Sequence, residues 1–392
     1  MKEEGLSLID LVSDLQIVLV AGSGGVGKTT TSAALGVALA TSLEKEVLVI
    51  TIDPAKRLAG AMGIDALSHV PQEVQLKDAK GHLFAAMVDM KASWDEMISR
   101  YAPDKDTVQK IVENPIYESI STRFVQSHDY IAVEALYEFY KEGIYDIIVV
   151  DTPPSRNAID FLDAPKNMEE FFASRLLRWL TIPRRSKLVA SAFRPFYLVA
   201  ERILGSAFVK DISEFFFDFQ QLYEGFVARA RQVAALVASD KAGFIVVTIP
   251  EEIPTTEAIF FISEVARRKL NMSAVVMNRS LPASIFSRAG DEVADKISNE
   301  TQEMLAKTFD AIGLDPTEGE VPLASKSQLV SKILVEMANS YEGLRDQKTM
   351  EEIQVSRLTV REGKVFTTTQ QSGDVSSVES LRKLATNMSI YR

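Results

Sequence analysis

The chain has 392 residues, 46% hydrophobic and 25% charged, so it can bury a large core and is neither collagenous nor low-complexity. Its 43 basic and 54 acidic residues leave a net charge of −11, which argues against a basic surface for nucleic acid, and no nucleic-acid partner is expected. The absence of cysteine removes disulfides, thiolate catalysis, iron–sulfur clusters and Cys-type zinc sites together.

The chain opens MKEEGLSLIDLVSDLQIVLVAG, with two acids beside its early lysine and with Asp10 and Asp14 interrupting the apolar stretch. A signal peptide needs a basic start and an unbroken apolar run. Nowhere do about 18 apolar residues run without charge, so a soluble, cytoplasmic protein is expected.

Short apolar runs rich in β-branched residues then follow at 16–20, 47–51, 83–88, 147–150, 244–248 and 274–277. They do not alternate polar with apolar, which suits strands covered on both faces of a parallel sheet. The stretch 28–41 between the first two is rich in Ala, Leu and Thr and reads as a helix. Strands alternating with helices predict an α/β, mainly parallel, doubly wound sheet.

Two longer intervals, 94–141 and 166–239, contain no good strand run and read as helical. The second carries stripes at helical spacing: Val189, Phe193, Phe196 and Ala200, then Phe215, Phe219, Leu222 and Phe226. The predicted organisation is a main domain over 1–345 with a helical insert at about 166–239. An appendage over 346–392 lies outside the sheet. In it, 353–366 reads as a small hairpin turning at Glu362-Gly363, followed by a Ser/Thr/Gln linker and a short helix over 378–386.

Directly after the first strand run stands Gly22-Ser-Gly-Gly-Val-Gly-Lys-Thr-Thr30, which matches G-x-x-x-x-G-K-[ST] between a strand and a helix. The glycines let backbone N–H groups curl inward around phosphate oxygens, and the helix N-terminus adds partial positive charge. Gly24, Gly25, Val26, Gly27, Lys28, Thr29 and Thr30 form the expected nucleotide cradle. Lys28 reaches the β/γ-phosphates and the Thr29 hydroxyl coordinates Mg²⁺.

Two later strands run into Asp53, in TIDPAKRL, and Asp151, in VDTPPS. Open parallel sheets bind ligands beyond the carboxyl ends of their strands, which brings both carboxylates to the nucleotide. Asp151 is the Walker B-type carboxylate of the metal shell. Asp53 is the better candidate to orient an attacking water, and it joins Thr29 and Asp151 as a candidate metal neighbour. The bland alternative for either is a turn or helix-cap aspartate.

GGVGKTT, DPAKRL, YDIIVVDTPPSRNAIDFLDAP, VVTIPEE, VVMNR and VPL, in that order over about 16–325, resemble the ArsA-type ATPases and their bacterial ArsA-like branch. That family includes arsenite-pump ATPases and the ATPase that delivers tail-anchored membrane proteins. The resemblance implies a deviant-Walker P-loop NTPase that hydrolyses ATP with Mg²⁺ and dimerises face to face across it, as a homodimer or with a related ATPase. By motif position it makes Asp53 the water-orienting switch I aspartate and Asp151 the head of switch II. It also makes Asn278 the reader of the adenine edge and puts Pro322 in the segment flanking the base.

The sequence departs from that pattern in two places. The family's signature lysine, which crosses the dimer to the partner's phosphates, is here Ser23. A partner chain supplies the lysine in a heterodimer, or Lys56 or Arg57 substitutes, or hydrolysis is slow. The cysteine sites of the zinc-clipped and metalloid-binding members are missing, which disfavours arsenite transport.

From 171 to 200 the insert holds Arg175, Arg178, Arg184, Arg185, Lys187 and Arg194 with no acid, among aromatics such as Phe171, Phe172 and Trp179. The functional readings are a hydrophobic client, an anionic membrane surface or an acidic partner. Against them stands an aromatic stripe packed into its own core. Two functions compete: a hydrolysing dimeric switch that moves a client, and a weakly hydrolytic nucleotide-binding subunit with a regulatory or scaffold role.

Overall fold

Along β1 (Ile17–Ala21) every residue is buried, and alternate side chains enter two different cores. Val18 and Val20 pack on one face of the sheet, while Ile17, Leu19 and Ala21 pack on the other. A strand with two covered faces has no reason to alternate polar with apolar residues, which explains the unbroken apolar runs.

The computed structural model describes residues 7–52, 57–123, 125–153, 163, 166, 170, 198–203, 205–312, 323–359, 364–371 and 373–390. The further strands are β2 (Glu46–Thr51), β3 (Gln72–Val74), β4 (His82–Met87), β5 (Ile147–Asp151), β6 (Ala242–Thr248), β7 (Met272–Ser280), β8 (Val365–Thr369) and β9 (Ser389–Ile390). They form one nine-stranded sheet in the order β3-β4-β2-β5-β1-β6-β7-β8-β9. Among the described strand pairs, only β3 with β4 and β8 with β9 run antiparallel. The strand order diverges on either side of β1, which pairs with β5 and β6. Such a reversal opens a crevice beyond the strand's carboxyl end.

One core holds the helix Lys28–Ser42 (through Ala33, Ala34 and Val37), the helix Leu8–Val12 and the helix Val378–Thr386. The opposite core receives Ala132, Val133 and Leu136 of the helix Val125–Glu142, and Phe261, Ile262 and Val265 of the helix Glu252–Arg267. Burial of each such side chain contributes roughly 1.5–3 kcal/mol, so the two layers together hold the sheet.

The six expected strand runs are all strands, and the interval 94–141 is helical as predicted. The tail is a correction. Ile353 lies within the helix Leu323–Thr359, which runs across the expected boundary at 345. Its buried residues Glu351, Gln354, Val355 and Leu358 follow helical spacing, so the face meeting the core overrides the local β-branched pattern that suggested a hairpin. Nor is the tail outside the sheet: β8 pairs parallel with β7, and Phe366 is fully buried.

The helices Met90–Tyr101, Lys105–Val112 and Pro115–Arg123 meet Ser206–Phe219 and Tyr223–Val237 around a third core. The predicted stripe Phe215, Phe219, Leu222 and Phe226 faces inward there, against Trp94, Met97, Ile98 and Ile111. Phe215 and Phe219 stack with centroids 5.2 Å apart. This stripe is core. The other stripe, apart from Ala200, and the basic run at 175–194 lie outside the described residues.

A charged cluster joins this helical layer to the rest. Glu134 is 4% exposed and Arg229 6%; the Glu134 carboxylate accepts from the Tyr101 hydroxyl at 3.0 Å and lies 3.2 Å from Arg229 Nε. Arg229 also pairs with Glu138 and sits 4.4 Å from the centroid of the Tyr137 ring. Burial pushes the Glu134 carboxyl above its ordinary range, while the Arg229 charge works against that rise.

Candidate functional site

The loop after β1 begins where backbone meets backbone. A Cβ on Gly22 would lie 2.2 Å from the Val247 carbonyl oxygen on β6, so only glycine lets the chain leave β1 there. At Gly27 φ is +97°, and a Cβ would lie 2.3 Å from Asn278 Nδ2. That residue is the N-cap of the helix Lys28–Ser42 and offers no side-chain cap, so the helix begins with N–H groups available to an anion. Gly24 and Gly25 are exposed at the rim, while Val26 is buried and anchors the loop in the core.

Lys28 is buried, and its ammonium donates to the Ser23 carbonyl at 2.9 Å, folding the lysine back over its own loop. One turn of the loop thus carries a cation and a set of N–H donors around the same space. Thr29 and Thr30 follow, both half-buried, in the first turn of the helix.

The Thr29 hydroxyl donates to Asp151 Oδ2 at 2.7 Å, and the Thr51 hydroxyl donates to the same oxygen at 3.0 Å. Asp151 ends β5 and Thr51 ends β2, and the two are paired in the sheet register. Asp151 is 1% exposed. A hydroxyl and a carboxylate held this close are hard oxygen donors of the kind Mg²⁺ prefers.

Asn278 also reaches the loop. Its Nδ2 donates to the Val26 carbonyl at 2.9 Å, and its Oδ1 accepts from the Thr368 hydroxyl at 2.7 Å and from the Arg279 N–H at 2.9 Å. Arg279 donates to the Gly25 carbonyl at 3.0 Å.

Of the residues predicted from sequence, the structure brings Lys28, Thr29, Asp151 and Asn278 to the loop formed by Gly24, Gly25, Val26 and Gly27. Asp53, Lys56 and Pro322 lie outside the described residues. Arg57 opens the helix Arg57–Met62 and is exposed. Ser23 is 8% exposed, and its hydroxyl has no hydrogen-bond partner among the described residues. Three neighbours were missed. Thr51 and Arg279 sit inside recognisable segments, TIDPAKRL and VVMNR. Thr368 has no local signal at all, since only tertiary pairing brings β8 beside β7.

A glycine loop between a buried strand and a helix N-terminus, a lysine folded over it and a Thr–Asp pair at the sheet's switch point define a P-loop NTPase. The chain belongs to the ArsA family, described as anion-transporting ATPases, whose model matches residues 15–314. It is 30% identical over 172 residues to the ATPase get3 of Aspergillus terreus, an overlap of 44% of this chain and 49% of that protein. It therefore spans about half the length of that relative.

Two Aquifex aeolicus proteins are similar over longer stretches. Putative arsenical pump-driving ATPase 1 is 25% identical over 302 residues, 73% of this chain and 68% of that protein. Putative arsenical pump-driving ATPase 2 is 25% identical over 299 residues, 74% of this chain and 89% of its own length.

Proposed function

We propose that this chain is a Mg²⁺-dependent ATP hydrolase that works as a dimeric switch, relaying its nucleotide state through the helical layer to a client or partner. The observation that carries this reading is the Thr29–Asp151 hydrogen bond of 2.7 Å beside a Lys28 ammonium folded over the loop. A magnesium ion bound with ATP would neutralise charge on the β/γ-oxygens as the transition state forms.

The chain's own residues do the rest. Backbone N–H groups from Gly24 to Thr30 hold the phosphates, and Lys28 places its charge on the β/γ pair. Asp53 orients the attacking water. The water oxygen forms a bond to the γ-phosphorus as the bond to the β–γ bridging oxygen breaks, the water proton passes to the released phosphate, and ADP and phosphate leave. The remaining amide N–H of Asn278 offers one donor to the adenine edge, and Pro322 flanks the base.

A second reading is favoured by one residue. Ser23 replaces a lysine that acts across a dimer, and its side chain is buried rather than projecting. Charges supplied across an interface at phosphoryl transfer can be worth roughly 10³–10⁵ in rate. Their loss suits a slow, nucleotide-binding subunit of a heterodimer. An arsenical-pump role such as the names of the Aquifex relatives give is disfavoured, because this chain contains no cysteine to bind a metalloid.

Steady-state ATPase and ATP affinity of the purified chain, with magnesium and with chelator, test the proposal. Magnesium-dependent turnover by the chain alone supports the switch. Tight binding without turnover selects the second reading. An absence of ATP binding removes both.

A further inference from the structure

The strand β7 does not end straight. Its pairing with β8 slips between Met277 and Ser280, and Arg279, inside the slip, has φ +60°. Residues with side chains rarely adopt that conformation, and a bulge of this kind re-aims side chains at the end of a strand. Here the two side chains in the slip both turn to the phosphate loop. Asn278 donates to the Val26 carbonyl and Arg279 to the Gly25 carbonyl, at 2.9 and 3.0 Å.

The consequence follows from peptide geometry. In a planar trans peptide the C=O and N–H point in opposite directions. The unit carrying the Gly25 carbonyl also carries the Val26 N–H, and the unit carrying the Val26 carbonyl also carries the Gly27 N–H. Tying both carbonyls to β7 turns both N–H groups to the other side of the loop, the arrangement of an anion-binding nest.

The Asn278 amide is itself oriented. Its oxygen takes the Thr368 hydroxyl at 2.7 Å, which leaves its nitrogen facing Val26. Without that hydroxyl the amide oxygen keeps the Arg279 N–H alone, and the orientation of the amide is held by one donor instead of two. Thr368 lies on β8 and is fully buried, so the hydroxyl has no competing solvent. The same C-terminal segment covers the loop's helix, since Leu381 and Leu384 share a core with Ala33, Ala34 and Val37.

We propose that Thr368, Asn278 and Arg279 are positioning residues of the phosphate loop, and that the C-terminal strand β8 thereby sets nucleotide affinity. This rests on the reading of the loop as a nucleotide site. Thr368 touches no phosphate. It acts through Asn278, and Asn278 through the backbone of Val26.

The test uses the full chain and Mg-ADP as the probe, titrated calorimetrically below the unfolding midpoint of each variant. Thr368→Val keeps the shape and removes the hydroxyl, and it is expected to weaken ADP binding about tenfold, the loss of roughly one buried hydrogen bond. Thr368→Ser keeps the hydroxyl and is expected to bind within about threefold of wild type, since only a methyl group is lost. Arg279→Gly accepts the left-handed turn without strain and is also expected to bind more weakly.

Wild-type affinity in Thr368→Val overturns the inference. So does an equal loss in Thr368→Ser, which would trace the effect to packing rather than to the hydroxyl. A wild-type chain that binds no ADP overturns the nucleotide reading as well, and is thus distinguishable from either result.

Discussion

The Thr29 hydroxyl and the Asp151 carboxylate lie 122 residues apart in the chain and are joined by a hydrogen bond of 2.7 Å. The bond links the first turn of the helix after the phosphate loop to the end of β5, and Thr51 donates to the same oxygen from β2. The pair is thus held by three separate segments. Asp151→Asn keeps one oxygen for the two hydroxyls but turns the other position into a donor. Its ATP affinity is expected to lose most of the increment that magnesium gives wild type. Titrations with magnesium and with chelator measure that increment directly.

Lys28→Ala removes the side-chain cation folded over the loop. Hydrogen bonds to charged groups are worth about 1.5–3 kcal/mol each, so ATP affinity is expected to fall by at least about tenfold. Calorimetry that finds unchanged affinity would remove the phosphate-loop reading.

Asp53→Asn is expected to leave ATP binding near wild type and to slow turnover by about a hundredfold or more, because the water-orienting role proposed for it acts on the transition state. The two measurements belong together. A variant with wild-type turnover would transfer the water-orienting role to another residue.

Ser23→Lys places at this position the cation that the second reading proposes is missing. A charge-assisted contact to phosphate across an ATP-bound dimer acts mainly on the transition state. The ATPase rate of the chain alone is expected to rise at least about tenfold, which needs only ~1.4 kcal/mol off the barrier. A flat rate, with turnover lost in Lys56→Ala or Arg57→Ala, would show that those residues already fill the role.

Arg229→Met tests the buried cluster in the helical layer. It leaves Glu134 with only the more distant guanidinium of Arg100, 3.7 Å away, and breaking a buried pair costs about 3–5 kcal/mol. The pH dependence has a definite sign. Burial raises the Glu134 carboxyl above its ordinary value of 4.5. A carboxyl raised in the folded state contributes its stability at low pH and loses it as pH climbs through the raised value. Removal of Arg229 raises it further, so the variant's deficit is expected to be smallest near pH 5 and to grow toward neutrality. Denaturant midpoints across that window check it, and a deficit independent of pH would count against the charge on Glu134 as its cause.

What the sequence determined by itself is the part governed by local chemistry. Unbroken β-branched runs marked the sheet, because a strand buried on both faces leaves no polar alternation to disguise it. The loop from Gly22 to Thr30 was legible because an anion nest needs glycines, a lysine and a hydroxyl at fixed spacing. Asp151 was legible because the carboxyl end of a buried parallel strand points at the ligand crevice.

Tertiary structure alone decided what depends on distant partners. Residues 353–359 look locally like a strand yet complete a helix, because Val355 and Leu358 meet a core built mostly from residues before 280. The segment 365–369 carries no sign of belonging to the site. It enters the sheet because β7 offers a free edge, and only then does the Thr368 hydroxyl come within 2.7 Å of Asn278. Arg279 reaches Gly25 because a slip in strand register turns it there. Register and long-range pairing are settled by the energy of the assembled sheet, which no window of sequence contains.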